Sequence, residues 1–355
     1  MLLRFFVGGN CANGRIRKPI GIHYTMKAFS KRVKIALLCA LALCILLFSC
    51  LFAYPASNRR GEQLPQEYAG ILRLWHIDSF EGGVGSRAAF LRGAAKIFEK
   101  KYGIYVLITV HTPASAAIAA QDGLPDLLSY GTYLDFAAEI AQPLGGEKFP
   151  FATAGGKGYA LPWCRGNYFL FTRDGDFSDI SESNTLFSDG GTLMDAAAYT
   201  AGLTGNFPVM QSTAAYVQFL NGKYKYMLGT QRDLFRFRTR KAEVQAKALS
   251  SFCDLYQYLS ILSEEEGKKS AAENFIACVL SEEVQEKLPQ IGMLSVSREV
   301  YGAEEPALQA AQSVLPERGV NVFLSEETRK ELFSLSEAAR KGDKNSAKIL
   351  ENILS

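Results

Sequence analysis

The chain has 355 residues, 39 Lys and Arg against 36 Asp and Glu, and a formal net charge of +3 at neutral pH. Residues 1–60 hold ten of those basic residues and no acid, so the remaining 295 carry 29 basic against 36 acidic groups, a net of −7. An acidic body argues against nucleic-acid binding, which needs a basic face, and three histidines without ligand spacing, with no CxxC, give metal or cofactor chemistry no support.

The first element is the uncharged stretch Ile35–Asn58, flanked by Lys27, Lys31, Arg32 and Lys34 before it and Arg59 and Arg60 after it. Its apolar core, Ile35 to Ala53, is 19 residues, close to the length of a membrane-spanning helix. Basic residues on the leading flank hold that end inside, which places everything after Arg60 on the extracytoplasmic side of the cell membrane. Three readings fit: an uncleaved anchor, a lipoprotein signal with Leu47-Phe48-Ser49-Cys50 as lipobox and Cys50 acylated, or a cleaved secretory signal. Met26 heads a conventional signal, so residues 1–25 are a cytoplasmic tail or an overlong start. On this reading 1–34 is the tail or signal n-region, 35–56 the membrane segment, 57–68 a linker and 69–355 the body.

In the body, Ile71–His76 is predicted as a strand, followed by the glycine-rich loop Gly82–Gly85. Phe90, Leu91, Ala94, Ala95, Ile97 and Phe98 recur at helical spacing over Ala88–Lys101, and Ile104–Val110 is a β-branched strand. Ala114–Gln121 predicts a short helix and Asp126–Tyr130 a third strand, completing a βαβ alternation. Extended segments follow at Tyr159–Trp163 and Tyr168–Thr172, a helix at Thr192–Ala201 and a strand at Lys223–Gly229. The last third is predicted helical at Ser270–Leu280, Ser281–Leu288, Pro306–Val314 and Ser325–Leu354. The fold class is α/β.

Several blocks, in order, match one family. They are Leu72–His76 with Ala94–Tyr102 and Ile104–Val110, Leu124–Tyr130, Gly156–Pro162, Phe219–Lys223 with Met227–Thr230, and Ala272–Ala277 through Leu280–Gln285. In these the chain resembles the extracellular solute-binding proteins of ABC importers, in the branch of sugar and maltodextrin binders. The resemblance spans about Ile71 to Ser297 and implies a two-lobed periplasmic-binding-protein-like fold with an interlobe cleft. Lobe 1 is expected at about 69–160 and 254–297, lobe 2 at about 161–253 and 298–355, with crossovers at Gly156–Pro162 and around Phe252–Tyr258. Where that branch places an aromatic pair, this chain has Gln231-Arg232, which weakens the expectation of a stacked sugar.

A cleft for a small polar ligand needs rigid walls and directed donors. Trp75 and Trp163, the only tryptophans, stand at segment ends and are candidate walls, each equally readable as core. Ser79 and Glu81 lie in the loop after the first strand, Tyr130 ends the third, and Arg165 follows Trp163. Gln231 and Arg232 open a segment, where polar groups meet ligands readily; for Arg232 a salt bridge to Asp233 or another acid is the plainer reading. Tyr256 and Tyr258 share a face of a strand, as cleft or core. The basic alternation Arg236, Arg238, Arg240, Lys241 reads by default as a solvated strand face, with contact to a phosphate or an acidic partner as the alternative.

The function these residues imply is a membrane-tethered binding protein that captures a small polar, sugar-like ligand and delivers it to an ABC permease. The alternative is a sensor of the same fold that presents its ligand state to a membrane signalling partner. An exported hydrolase using Glu81 with Asp126 or Asp135 is the third reading; the sequence has no GxSxG elbow and no grouping of Ser, His and Asp to support it.

Overall fold

The computed structural model describes residues 39–44, 68–132, 134, 137–146 and 148–354. Residues 39–44 are helical and exposed. The remainder of the apolar stretch, Cys50, Met26 and Asp135 lie outside the described residues, and no helix among the described residues is long and apolar enough to cross a membrane.

The body begins with β1 (Ile71–Ile77), α1 (Arg87–Tyr102), β2 (Tyr105–His111), α2 (Pro113–Ala119), β3 (Leu127–Tyr130) and the short α3 (Ala137–Ile140). A hairpin, β4 (Thr153–Ala154) and β5 (Lys157–Gly158), leads to β6 (Leu161–Arg165) and β7 (Tyr168–Thr172). Next come β8 (Thr185–Asp189), α4 (Met194–Thr200), β9 (Val209–Gln211), α5 (Ser212–Leu220), β10 (Tyr226–Thr230) and α6 (Gln231–Thr239). After β11 (Gln245–Ala248) and β12 (Tyr256–Ile261) the chain is helical: α7 (Glu266–Val279), α8 (Glu282–Gln285), α9 (Pro306–Ser313), α10 (Glu326–Arg340) and α11 (Lys344–Leu354).

Two five-stranded mixed sheets organise these elements, in the orders β2-β1-β3-β12-β6 and β11-β7-β10-β8-β9. In the first, β1, β2 and β3 are parallel and β12 runs antiparallel to β3 and β6. In the second, β8, β9 and β10 are parallel and β7 is antiparallel to β10 and β11. Strands β3, β7 and β12 are buried at every position, as expected of strands covered on both faces.

The chain first passes between sheets at Gly166-Asn167, because β6 still pairs with β12 of the first sheet and β7 already belongs to the second. That is later than the Gly156–Pro162 segment expected for the crossing. It returns between β11 and β12, and α9 then packs on β11 of the second sheet.

Local chemistry accounts for the element ends. Ser86 caps α1 by accepting the Ala89 N–H at 3.2 Å, and Gly103, at φ +73°, closes it with its N–H on Glu99. Lys100 and Lys101 sit in its last turn, where cations favour the helix dipole. The single helix expected over Ser325–Leu354 is two, α10 and α11, because Gly342 takes φ +99° and turns the chain between them. Helix α10 packs on α4, and Arg340, fully buried, holds that contact through Asp195 and through the Gly205 carbonyl at 2.7 Å.

Candidate functional site

The carboxyl end of β1 feeds a loop that is fixed on several sides. His76 lies between Ser129 Oγ, 3.0 Å from Nδ1, and Asp78 Oδ1, 3.0 Å from Nε2. Arg87 Nε donates to the same Asp78 oxygen at 2.7 Å, its guanidinium lies over the Phe80 ring at 4.2 Å, and it also donates to the Phe80 carbonyl. Burial raises the Asp78 carboxyl, but the His76 hydrogen bond and the Arg87 charge outweigh it and hold the carboxyl down at about 2. With Asp78 ionised, the order that satisfies each atom has Nε2–H donating to Asp78 and the Ser129 hydroxyl donating to Nδ1. Ser129 Oγ in turn accepts Trp163 Nε1–H at 3.2 Å and Gln257 Nε2–H at 3.4 Å.

A grouping of Ser, His and Asp therefore exists in three dimensions although the sequence does not show one. Ser129 and His76 are both 0 % exposed, so neither can meet a substrate; the line fixes the loop. The loop's far side is held by the Val84 N–H on the Ile291 carbonyl at 3.0 Å. Gly83, at φ +58°, is required there, since a Cβ would lie 1.8 Å from that carbonyl oxygen.

Glu81 projects from this loop to Arg232 on α6, an ion pair that joins an element of the first sheet to an element of the second. Helix α6 starts where β10 ends, with Thr230 and Asp233 forming a reciprocal capping box. Around the pair lies a narrow space of about 10 Å³, room for about one water, bounded by Glu81, Ser188, Thr192, Ser212, Thr230 and Arg232. Ser188 is in β8, Thr230 ends β10 and Ser212 opens α5, so the carboxyl ends of parallel strands face this space, as ligand crevices of α/β sheets require. Arg232 is also a wall of a wider cavity of about 380 Å³, shared with Gly83, Val84, Tyr216, Arg236 and Arg240.

Of the candidate residues, the structure brings only Glu81 and Arg232 together at this cleft. Trp163 is core: 0 % exposed, stacked on Phe90 with centroids 5.4 Å apart, its N–H committed to Ser129. Tyr130 is also buried, its hydroxyl 2.8 Å from Ser260 Oγ, and burial pushes its phenol up. Trp75, half buried, packs on His111 with centroids 4.7 Å apart, on the face of β1 opposite His76. Arg165 is fully buried and donates to the Ala311 carbonyl at 2.6 Å and the Val314 carbonyl at 3.2 Å, so its charge meets the C-terminal end of α9. Gln231 is buried at the crossing, accepting the Asn167 N–H at 2.8 Å. Ser79 donates to Gln257 Oε1 at 3.4 Å. Tyr256 and Tyr258 do share a face, in an aromatic core with Phe149.

Arg236 and Arg238 are in helix α6, not on a strand face, and Arg240 caps its C-terminal end. Arg232, Arg236 and Arg240 line one cavity at helical spacing, while Arg238 donates to Glu305 at 2.7 Å. Arg236 donates to Asp233 at 3.2 Å and to Ser212 Oγ at 2.9 Å. Burial, and then the neighbouring Arg236 charge, lower the Arg232 guanidinium. Sequence reasoning missed Ser188, Thr192, Ser212 and Thr230; only Thr230 carried a readable sign, the T-x-x-D pattern of a capping box. The Glu81–Asp126 pair of the hydrolase reading does not form, and Asp135 lies outside the described residues. Asp126, just before β3, is bound to Arg73 and Lys268, and a parallel sheet places it at the end opposite the loop that carries Glu81.

No protein-family profile matches the sequence, and no curated protein sequence matches it. Solved structures do match in fold. The GacH receptor of Streptomyces glaucescens, solved unliganded and with acarbose, aligns at TM-score 0.54 and 15 % identity over 81 % of this chain and 99 % of its own. The galacto-N-biose/lacto-N-biose I-binding protein of the ABC transporter from Bifidobacterium longum aligns at 0.51 and 12 % over 80 % and 94 %. Iron-bound HitA from Pseudomonas aeruginosa aligns at 0.51 and 18 % over 76 % and 99 %. The chain thus has the two-lobed fold of the periplasmic-binding-protein-like solute-binding proteins. At these identities the likeness establishes fold.

Proposed function

We propose that this chain is an extracytoplasmic solute-binding protein, tethered to the cell membrane through residues 35–56, that captures a small polar, sugar-like ligand between its lobes and delivers it to an ABC permease. The observation that carries the reading is the Glu81–Arg232 pair, which joins a rigid loop of one sheet to a helix of the other across a space edged by strand ends. Hinge closure around a ligand is the working motion of such folds. The sugar-binding proteins of like fold support the ligand class, and the B. longum protein, which belongs to an ABC transporter, supports the permease. Tethering rests on the basic-flanked apolar stretch; loss of membrane retention in Cys50→Ala would identify the tether as a lipid, and full retention as a helix. The test of binding is a thermal-shift screen of the detergent-solubilised chain against sugars, polyols and amino acids. A sugar that binds the native state raises the melting temperature by mass action; a flat response to all sugars would contradict the reading.

A further inference from the structure

We infer that the ligand of this cleft carries an anionic group, a carboxylate or a phosphate, and that Glu81 occupies the place of that group on Arg232. The inference rests on the cleft being the ligand site, as proposed above. Its first support is the guanidinium row. Arg232, Arg236 and Arg240 line a single cavity of about 380 Å³, about 6 Å apart along the axis at four-residue steps. Arginine is the side chain whose fork matches carboxylate and phosphate oxygens in pairs.

The second support is the charge balance. Arg232 is met by Glu81 and Arg236 by Asp233, while Arg240, which is exposed, has no acidic partner among the described residues. The cavity is thus net positive in a body of net charge −7, and a cleft of one sign draws in ligands of the other.

The third is what the aromatic walls are doing. Phe235 is packed on the Gly292 backbone, where an added Cβ would lie 2.5 Å from its ring. Tyr216 lies against Arg236, with the guanidinium 5.9 Å from its ring centre, and donates its hydroxyl proton to the Arg236 carbonyl at 3.3 Å. Both rings are thus held against protein groups, Tyr216 against Arg236 and Phe235 against the Gly292 backbone and the Arg238 guanidinium, 5.2 Å from its ring centre.

Glu81 completes the argument. Its loop is held by Asp78, Arg87 and the Ile291 carbonyl, so its carboxylate is delivered to Arg232 from a fixed base while remaining 55 % exposed. Such a carboxylate is an internal substitute: a ligand anion entering from the wider cavity competes with it for the same guanidinium and displaces it towards water.

The test is calorimetric titration of the full-length protein in detergent micelles at low salt. The acidic probes are D-glucuronate, D-galacturonate, glucose 1-phosphate and inorganic phosphate; the neutral probes are glucose, maltose and maltotriose. Binding is expected from acidic probes and not from their neutral counterparts, with the uronates and the phosphates telling the two anion chemistries apart. Arg232→Gln should weaken it by about 10–100-fold, the range of one charge-assisted hydrogen bond, with an unchanged melting temperature. Glu81→Gln should strengthen it by about tenfold, because the competitor has lost its charge. Neutral probes that bind better than acidic ones, with both variants at wild-type affinity, would overturn this inference and leave the solute-binding reading standing. If no probe of either class binds, both fall.

Discussion

Trp163→Ala separates core from cleft more sharply than any other substitution in this chain. The indole is fully buried, stacks on Phe90 at 5.4 Å and donates to Ser129 at 3.2 Å. Truncating a buried tryptophan to Ala costs about 3–5 kcal/mol, and loss of the donor to a buried hydroxyl adds about 1 kcal/mol. Trp163→Phe keeps most of the ring packing and gives up the donor, so about 1–2 kcal/mol is expected. Urea unfolding followed by circular dichroism reads both; fluorescence does not, because Trp75 would be the only indole left. A Trp163→Ala protein with the wild-type midpoint and lost ligand binding would refute this account and restore the indole as a cleft wall.

Other outcomes follow from the loop and the hinge. Asp78 titrates at about 2, below its ordinary 3.8, so its stabilisation is present above pH 4 and is lost as pH falls towards 2. Half exposed, it contributes about 1 kcal/mol after screening; Asp78→Asn should flatten the wild-type pH dependence over that range by this amount, and an unaltered slope would exclude the Asp78–His76–Arg87 pairing. Gly83→Ala forces a Cβ onto the Ile291 carbonyl at φ +58° and should lower stability by roughly 1–3 kcal/mol in the same urea assay, with no loss expected if the loop were loose. Gln231→Ala strips the buried Asn167 N–H of its acceptor, a cost of about 1–3 kcal/mol, and an unchanged midpoint would show that another acceptor replaces it.

How much of this was readable before the structure depends on what each residue's signal was. The β1–α1–β2–β3 alternation was legible because strand hydrophobicity and the Leu91/Ala94/Ala95/Phe98 helical face are local patterns. Strand β11, Gln245–Ala248, escaped notice: QAKA has little β-propensity and is a strand because it pairs with β7. The site was harder. Tyr130 and Arg165 do end their strands as expected, while Trp163 lies in the middle of β6, and position along a strand does not say which face a side chain takes or what packs over it. The cleft residues Ser188 in β8, Thr192 in the loop that follows it and Ser212 at the start of α5 come from two separate stretches of chain that sheet order brings together. Arg236 and Arg240 were visible, yet a two-residue alternation and one face of a helix share these positions, and only the helix places them beside Arg232.

The central claim is that ligand sits between the lobes on Glu81, Arg232 and the strand ends around them. Hydrogen exchange of the full-length protein, with and without a saturating ligand from the thermal-shift screen, tests it most directly. The account predicts joint protection of residues 79–85 from the first lobe and of 188–192, 212–216 and 230–240 from the second. Protection confined to one lobe, or lying outside these segments, would contradict it.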